Sequence, residues 1–134
     1  MKLTPELHVL ALIVTVTVLM WIPYMLARIL TRGPTQTLAN PDPAFAPDPP
    51  WAERARRAHA NAAENLVVFA PLVIIAALIG VSTPATIVAS KLYLGARFVH
   101  YIVYAAGIPA VRTLAFVVGV GATLVIAAAV LGHA

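Results

Sequence analysis

Two stretches of this sequence carry side chains that can bind or polarise a charged ligand. Arg54, Arg57, Asn61 and Glu64 are spaced three, four and three apart, and Tyr93, Arg97, His100 and Tyr104 four, three and four. On helices each set falls on one face. Guanidinium groups match carboxylates bidentately, a glutamate suits an ammonium, and an asparagine serves a donor or an acceptor. The set therefore points to a small zwitterionic ligand with more than one carboxylate. Blander readings stand beside it. Single arginines such as Arg28, Arg32, Arg54 and Arg56, and likewise Lys91, can snorkel to lipid headgroups, and one arginine could satisfy Glu64 as an internal ion pair. Asn61 and Glu64 are harder to dismiss, because a carboxylate at the centre of a membrane helix costs roughly 2.5–3.5 kcal/mol.

The elements that position these residues are apolar. Of 134 residues 61% are hydrophobic and 10% charged, with mean hydropathy +0.91, whereas a soluble domain carries about 25% charge. So much apolar surface requires lipid as solvent, and one compact membrane domain, residues 1–134, is expected. The net charge of +4 is almost wholly arginine, clustered at the ends of apolar runs. That clustering favours membrane boundaries over nucleic acid. With no cysteine, disulfides, thiolate metal sites and a cysteine nucleophile are excluded, and any thiol chemistry must use a ligand's thiol. No metal site is implied.

Four spans are expected, at about residues 7–30, 62–81, 85–106 and 111–131. Thr4-Pro5-Glu6 starts the first helix, Pro23 should kink it, and Arg28 and Arg32 end it. Residues 31–50 hold six of the eleven prolines and read as a polar loop with little regular structure. A helix then runs from about Pro49 to Gly80, charged in its first half and bent at Pro71. Thr83-Pro84 caps the third span, and Gly107-Ile108-Pro109 separates it from the fourth, which Arg112 begins. Antiparallel packing brings Asn61 and Glu64 level with Arg97, His100 and Tyr104. The charge bias of the loops places the arginine-bearing ends in the cytoplasm and both termini opposite. The first apolar run is too long for a cleaved signal.

The run Glu53-Arg54-x-x-Arg57-Ala58-x-x-Asn61-x-x-Glu64, with Pro71 beyond it, resembles the signature of the MAPEG family, the membrane-associated proteins of eicosanoid and glutathione metabolism, in a bacterial-type member. The likeness continues through Leu94-Gly95-Ala96-Arg97, His100 and Tyr104 to Pro109-x-x-Arg112-Thr113. The resemblance implies an all-α four-transmembrane-helix bundle assembled as a homotrimer, multi-pass in a bacterial inner membrane, with membrane lipids around it. It implies glutathione as co-substrate, bound toward the cytoplasmic side, and a transferase or peroxidase acting on lipophilic electrophiles. Glutathione-contacting positions correspond to Arg32, Arg57, Asn61, Glu64, Arg97, His100, Tyr104 and Thr113, with Arg28 competing for the role of Arg32. Arg112 corresponds to the arginine that stabilises the thiolate. A free thiol has a pKa of about 8.5, and a nearby guanidinium lowers it, raising the reactive fraction at neutral pH. Ala60 departs from the pattern, standing where several members carry arginine, and removes one carboxylate contact.

A non-catalytic ligand-binding or scaffold bundle of the same fold is the rival reading. Haem ligation by His59 and His100 is a third, weakened by the arginines around both.

Overall fold

The computed structural model describes residues 1–133. Helices α1 (Pro5–Leu19), α2 (Trp21–Leu38), α3 (Pro50–Leu78), α4 (Pro84–Ala106) and α5 (Pro109–Leu131) make up the bundle. α1 and α2 form one rod of 34 residues broken at Met20. Pro23 has no N–H to offer the Leu19 carbonyl, so the α-helical ladder must open there. The Met20 N–H turns back instead to Thr17 O at 3.3 Å. The Met20 carbonyl accepts the Tyr101 hydroxyl of α4 at 2.8 Å, so the kink is covered from across the bundle.

α2 continues beyond Leu30 to Leu38, so the expected loop from residue 31 opens with helical turns. Gly33 interrupts them at φ 79°, ψ 162°, a conformation open to glycine, and Pro34 restarts the turn. The loop proper is residues 39–49. α3 is continuous through Pro71. Its 29 residues reach about 43 Å against a hydrocarbon core of about 30 Å, so its charged first turns project past the core. Thr83 and Thr86 form a reciprocal capping box at the start of α4, as Thr83-Pro84 suggested. Gly107 ends the helix at φ 79°. Arg54 donates from Nε to the Ala105 carbonyl at 3.0 Å and lies against Gly107, 3.4 Å from where a Cβ would stand. Arg54 is thus spent closing α4, and α3 is locked to that end.

The core has two parts. In the middle, Val9, Leu10 and Ile13 of α1 meet Phe69 and Val73 of α3, Tyr93 of α4, and Ala122 and Ile126 of α5. Phe69 and Tyr93 stack with centroids 3.7 Å apart. At the charged end Ala55, Ala58 and Ala62 recur on the buried face of α3, beneath Met20 and Tyr101. Alanine there lets neighbouring backbones approach closely. Outside, Val18, Leu26, Leu78, Leu114 and Leu124 are exposed, a surface that requires lipid. The α1–α2 rod, α3 and α5 are long and apolar enough to cross a membrane. α4 is diluted by Ser90, Lys91, Arg97 and His100, but it packs against α1, α3 and α5 and lies among them. The molecule is an all-α membrane four-helix bundle.

Candidate functional site

α3 and α4 run antiparallel, and where their polar stripes meet Arg97 is buried at 4% exposure. Its Nη2 donates to Asn61 Oδ1 at 3.0 Å. The same oxygen takes a 3.2 Å bond from Asn65 Nδ2, which fixes the amide. Arg97 Nε and His100 Nδ1 are buried without a hydrogen-bond partner, as is Tyr93 OH. No carboxylate lies within ion-pair distance of Arg97 among the described residues. A buried guanidinium with a single neutral acceptor is a costly arrangement that an anion would relieve.

One turn along α4, His100 meets Tyr104 edge to face, with centroids 5.5 Å apart. The guanidinium of Arg112 lies over the Tyr104 ring, 4.7 Å from its centroid. Arg112 stands in the first turn of α5, whose N-terminus has no side-chain cap. A helix N-terminus carries roughly half a positive charge and free N–H groups, so the arginine adds to a field that already attracts anions. Thr113 spends its hydroxyl hydrogen on the Pro109 carbonyl at 3.2 Å, and its oxygen remains an acceptor. Asn61, His100, Tyr104, Arg112, Thr113 and Phe116 line a pocket of about 280 Å³.

Other expected site residues stand apart from this pocket within one chain. Arg57 and Glu64 are exposed on the outer flank of α3. Arg57 approaches Glu53 at 3.5 Å, and Glu64 has no ion-pair partner among the described residues. Arg32 faces the loop, 3.6 Å from Asp48 and over the Phe45 ring at 5.8 Å. Arg28 holds the same Asp48 bidentately, Nε to Oδ1 at 3.0 Å and Nη2 to Oδ2 at 2.6 Å. Those hydrogen bonds hold the Asp48 carboxyl below the ordinary aspartate range, against the opposing effect of burial.

Two features escaped sequence reasoning. Phe116 lies one turn beyond Arg112, at i+4, a spacing that could have indicated it. A second polar pocket of about 300 Å³ is lined by Tyr24, Arg56, His59, Ala60 and Ala63. There the Tyr24 hydroxyl and His59 Nδ1 are hydrogen-bonded at 2.7 Å. The pairing of Tyr24 with a residue 35 positions away has no local signal in the sequence.

An integral membrane four-helix bundle, with arginines and polar groups converging where α3, α4 and α5 meet at one end, defines the class. Comparison with known proteins makes it specific: residues 7–132 match the MAPEG family, and the chain belongs to that family. Curated relatives include microsomal glutathione S-transferase 1 of Rattus norvegicus and of Homo sapiens, each 40% identical over 73 residues. The Sus scrofa protein is 41% identical over the same length. These matches cover 54% of this chain and 47% of each relative, so the chain spans about half the length of the curated relatives it matches.

Proposed function

We propose that this chain is a glutathione-dependent transferase or peroxidase of the membrane, acting on lipophilic electrophiles. Family membership and the glutathione S-transferase relatives support the reading. The observation that carries it is the buried Arg97 guanidinium, bonded to Asn61 but to no carboxylate, beside Arg112 at the uncapped start of α5.

The residues fit glutathione chemically. Arg97 and Arg57 suit its carboxylates, Glu64 its ammonium, and Asn61 an amide or carboxylate. His100, Tyr104 and Thr113 line the other wall. Glutathione would supply the sulfur nucleophile: its thiolate would displace a leaving group on carbon, or attack the terminal oxygen of a lipid hydroperoxide. The latter attack would break the O–O bond, release the alcohol and leave a sulfenic acid that a second glutathione converts to the disulfide and water. Arg112 and the α5 N-terminus hold negative charge on that sulfur, and Tyr104 holds the Arg112 guanidinium in place. The surrounding apolar faces admit an electrophile from the bilayer.

Arg57 and Glu64 face outward on α3, and Arg32 faces the loop. A homotrimer, with each site between neighbouring subunits, gives these charges a role. The site lies toward the cytoplasm of a bacterial inner membrane, with both termini opposite, following the arginine bias. The non-catalytic alternative draws on Ala60, which lines the Tyr24–His59 pocket where an arginine could have reached. The deciding measurement pairs two readouts on detergent-purified protein: conjugation of a generic aromatic electrophile or reduction of an organic hydroperoxide, and glutathione-dependent thermal stabilisation. Turnover with stabilisation is expected. Stabilisation without turnover selects the binding bundle, and the absence of both turnover and stabilisation overturns the glutathione reading.

A further inference from the structure

On the flank of α4 and α5 turned away from the candidate site runs a groove of about 560 Å³, lined by Leu92, Gly95, Val99, Leu114 and Val118, with Lys91 its one charged residue. Leu92 and Val99 are exposed, whereas Tyr93, Arg97 and His100 are buried, so groove and site occupy different faces of α4. The floor is made by Gly95, Ala96 and Ala115, whose side chains are absent or a single methyl. Nothing lies within 4 Å of where a Cβ on Gly95 would stand, and φ at Gly95 is not in the left-handed region. Backbone geometry therefore does not require glycine there; what it leaves is open space. From Val88 to Val99 the groove follows the helix axis for about 16 Å, parallel to lipid chains.

Lys91 sits two turns inside the start of α4, about 10 Å from Pro84. It has no carboxylate partner among the described residues. An ammonium at that depth snorkels outward to the interface, where the phosphates of lipid headgroups are within its reach. A second copy inserted in parallel offers no anion at this level. Its Glu6 is buried at 3% exposure and taken by Ser82 and Thr86. Its Glu64 lies about 10 Å deeper, counted along α3 from Leu78.

We propose that this groove holds an acyl chain of a bilayer phospholipid with an anionic headgroup, whose phosphate pairs with Lys91. The apolar walls take the chain, the open floor over Gly95 takes its bulk, and the groove opens sideways to the bilayer that supplies it. The assignment is independent of the glutathione reading.

Native mass spectrometry of the detergent-purified oligomer, titrated with phosphatidylglycerol or phosphatidylcholine of equal chain length, tests it. One lysine near the surface contributes about 1 kcal/mol toward an anionic lipid, so wild type should prefer phosphatidylglycerol about fivefold. Lys91→Met should abolish the preference and Lys91→Arg keep it. Gly95→Leu should weaken binding of both lipids with the oligomer intact. Equal binding of the two lipids by wild type, or a preference that survives Lys91→Met, overturns the proposal. So does displacement of the phospholipid by equimolar oleate, or dissociation of the oligomer by Gly95→Leu, which would mark the groove as a subunit contact.

Discussion

Arg112 and Tyr104 face each other across the α4–α5 turn, the guanidinium carbon 4.7 Å above the ring centroid. The ring holds the cation without neutralising it. A carboxylate at that position would fix Arg112 more firmly but cancel its field. An aromatic face instead contributes about 0.5–2 kcal/mol of attraction and leaves the positive potential available to a third group. The uncapped N-terminus of α5 adds to it.

Substituting Arg112 by alanine should therefore separate binding from chemistry. Thiolate stabilisation by a positioned donor is worth about 10²–10³ in turnover, so Arg112→Ala should lose activity to that extent while glutathione-dependent thermal stabilisation persists. Arg112→Lys, which keeps the charge but not the planar stack, should fall between. Stopped-flow formation of the thiolate absorbance would read the step directly. Equal turnover of Arg112→Ala and wild type would remove this residue from the mechanism.

Asn61 carries an opposite-sign test. Asn61→Ala removes the amide that accepts from Arg97 and should cost about 1.5–3 kcal/mol, the range for a hydrogen bond to a charged group. Asn61→Asp supplies the missing carboxylate, so stability should hold or rise while glutathione stabilisation falls. Thermal unfolding with and without glutathione reads both. If Asn61→Asp bound glutathione as tightly as wild type, the Arg97 charge would not be aimed at a ligand.

Much of this architecture was legible in the sequence because helix caps and apolar runs are local. Thr83-Pro84, Gly107 and Pro109 punctuate the chain where α4 and α5 begin and end, and Pro23 announces the break at Met20. The convergence of Asn61 with Arg97, His100 and Arg112 was legible too, since antiparallel helices with two stripes have one level at which to meet. Less legible was how far the α3 stripe of Arg54, Arg57, Asn61 and Glu64 spreads around its helix within one chain. A helix face is broad, and its edges turn toward different neighbours. Arg54 was captured by the end of α4, while Arg57 and Glu64 stayed outside. The partnership of Asp48 with Arg28 and Arg32 was hidden for a different reason, because a proline-rich loop has no period from which to infer where it folds back.

That loop should respond to acid. Asp48, nearly buried at 6% side-chain exposure, is held below the ordinary aspartate value by the Arg28 hydrogen bonds. A carboxyl whose folded pKa is depressed contributes stability in full above its unfolded value, about 3.9, and loses it as pH falls through the folded value. Residues 39–49 should thus resist a broad-specificity protease at neutral pH, and their amide hydrogen-exchange protection should be lost only below about pH 4. Asp48→Asn should be cleavable at neutral pH, with stability reduced by about 1–2 kcal/mol. Unchanged cleavage in that variant would mean the prolines alone order the loop.

At the opposite end of the bundle Glu6 serves as a tether. Ser82 Oγ donates at 3.0 Å to its carboxylate and Thr86 Oγ1 lies 2.5 Å from Oε1, so the first turn of α1 is tied to the α3–α4 turn and the capping box of α4. Glu6 is 3% exposed, and its carboxylate lies near the N-termini of both α1 and α4, where negative charge is favoured. Glu6→Ala leaves the Ser82 hydroxyl without this partner and should cost about 1–3 kcal/mol, read as a lower unfolding temperature in detergent. Glu6→Gln keeps the shape and an acceptor oxygen and should cost less. Because this tether lies a membrane thickness from Arg112, neither variant should change glutathione turnover per folded molecule. A drop in turnover at unchanged stability would show that the two ends of α4 are mechanically coupled.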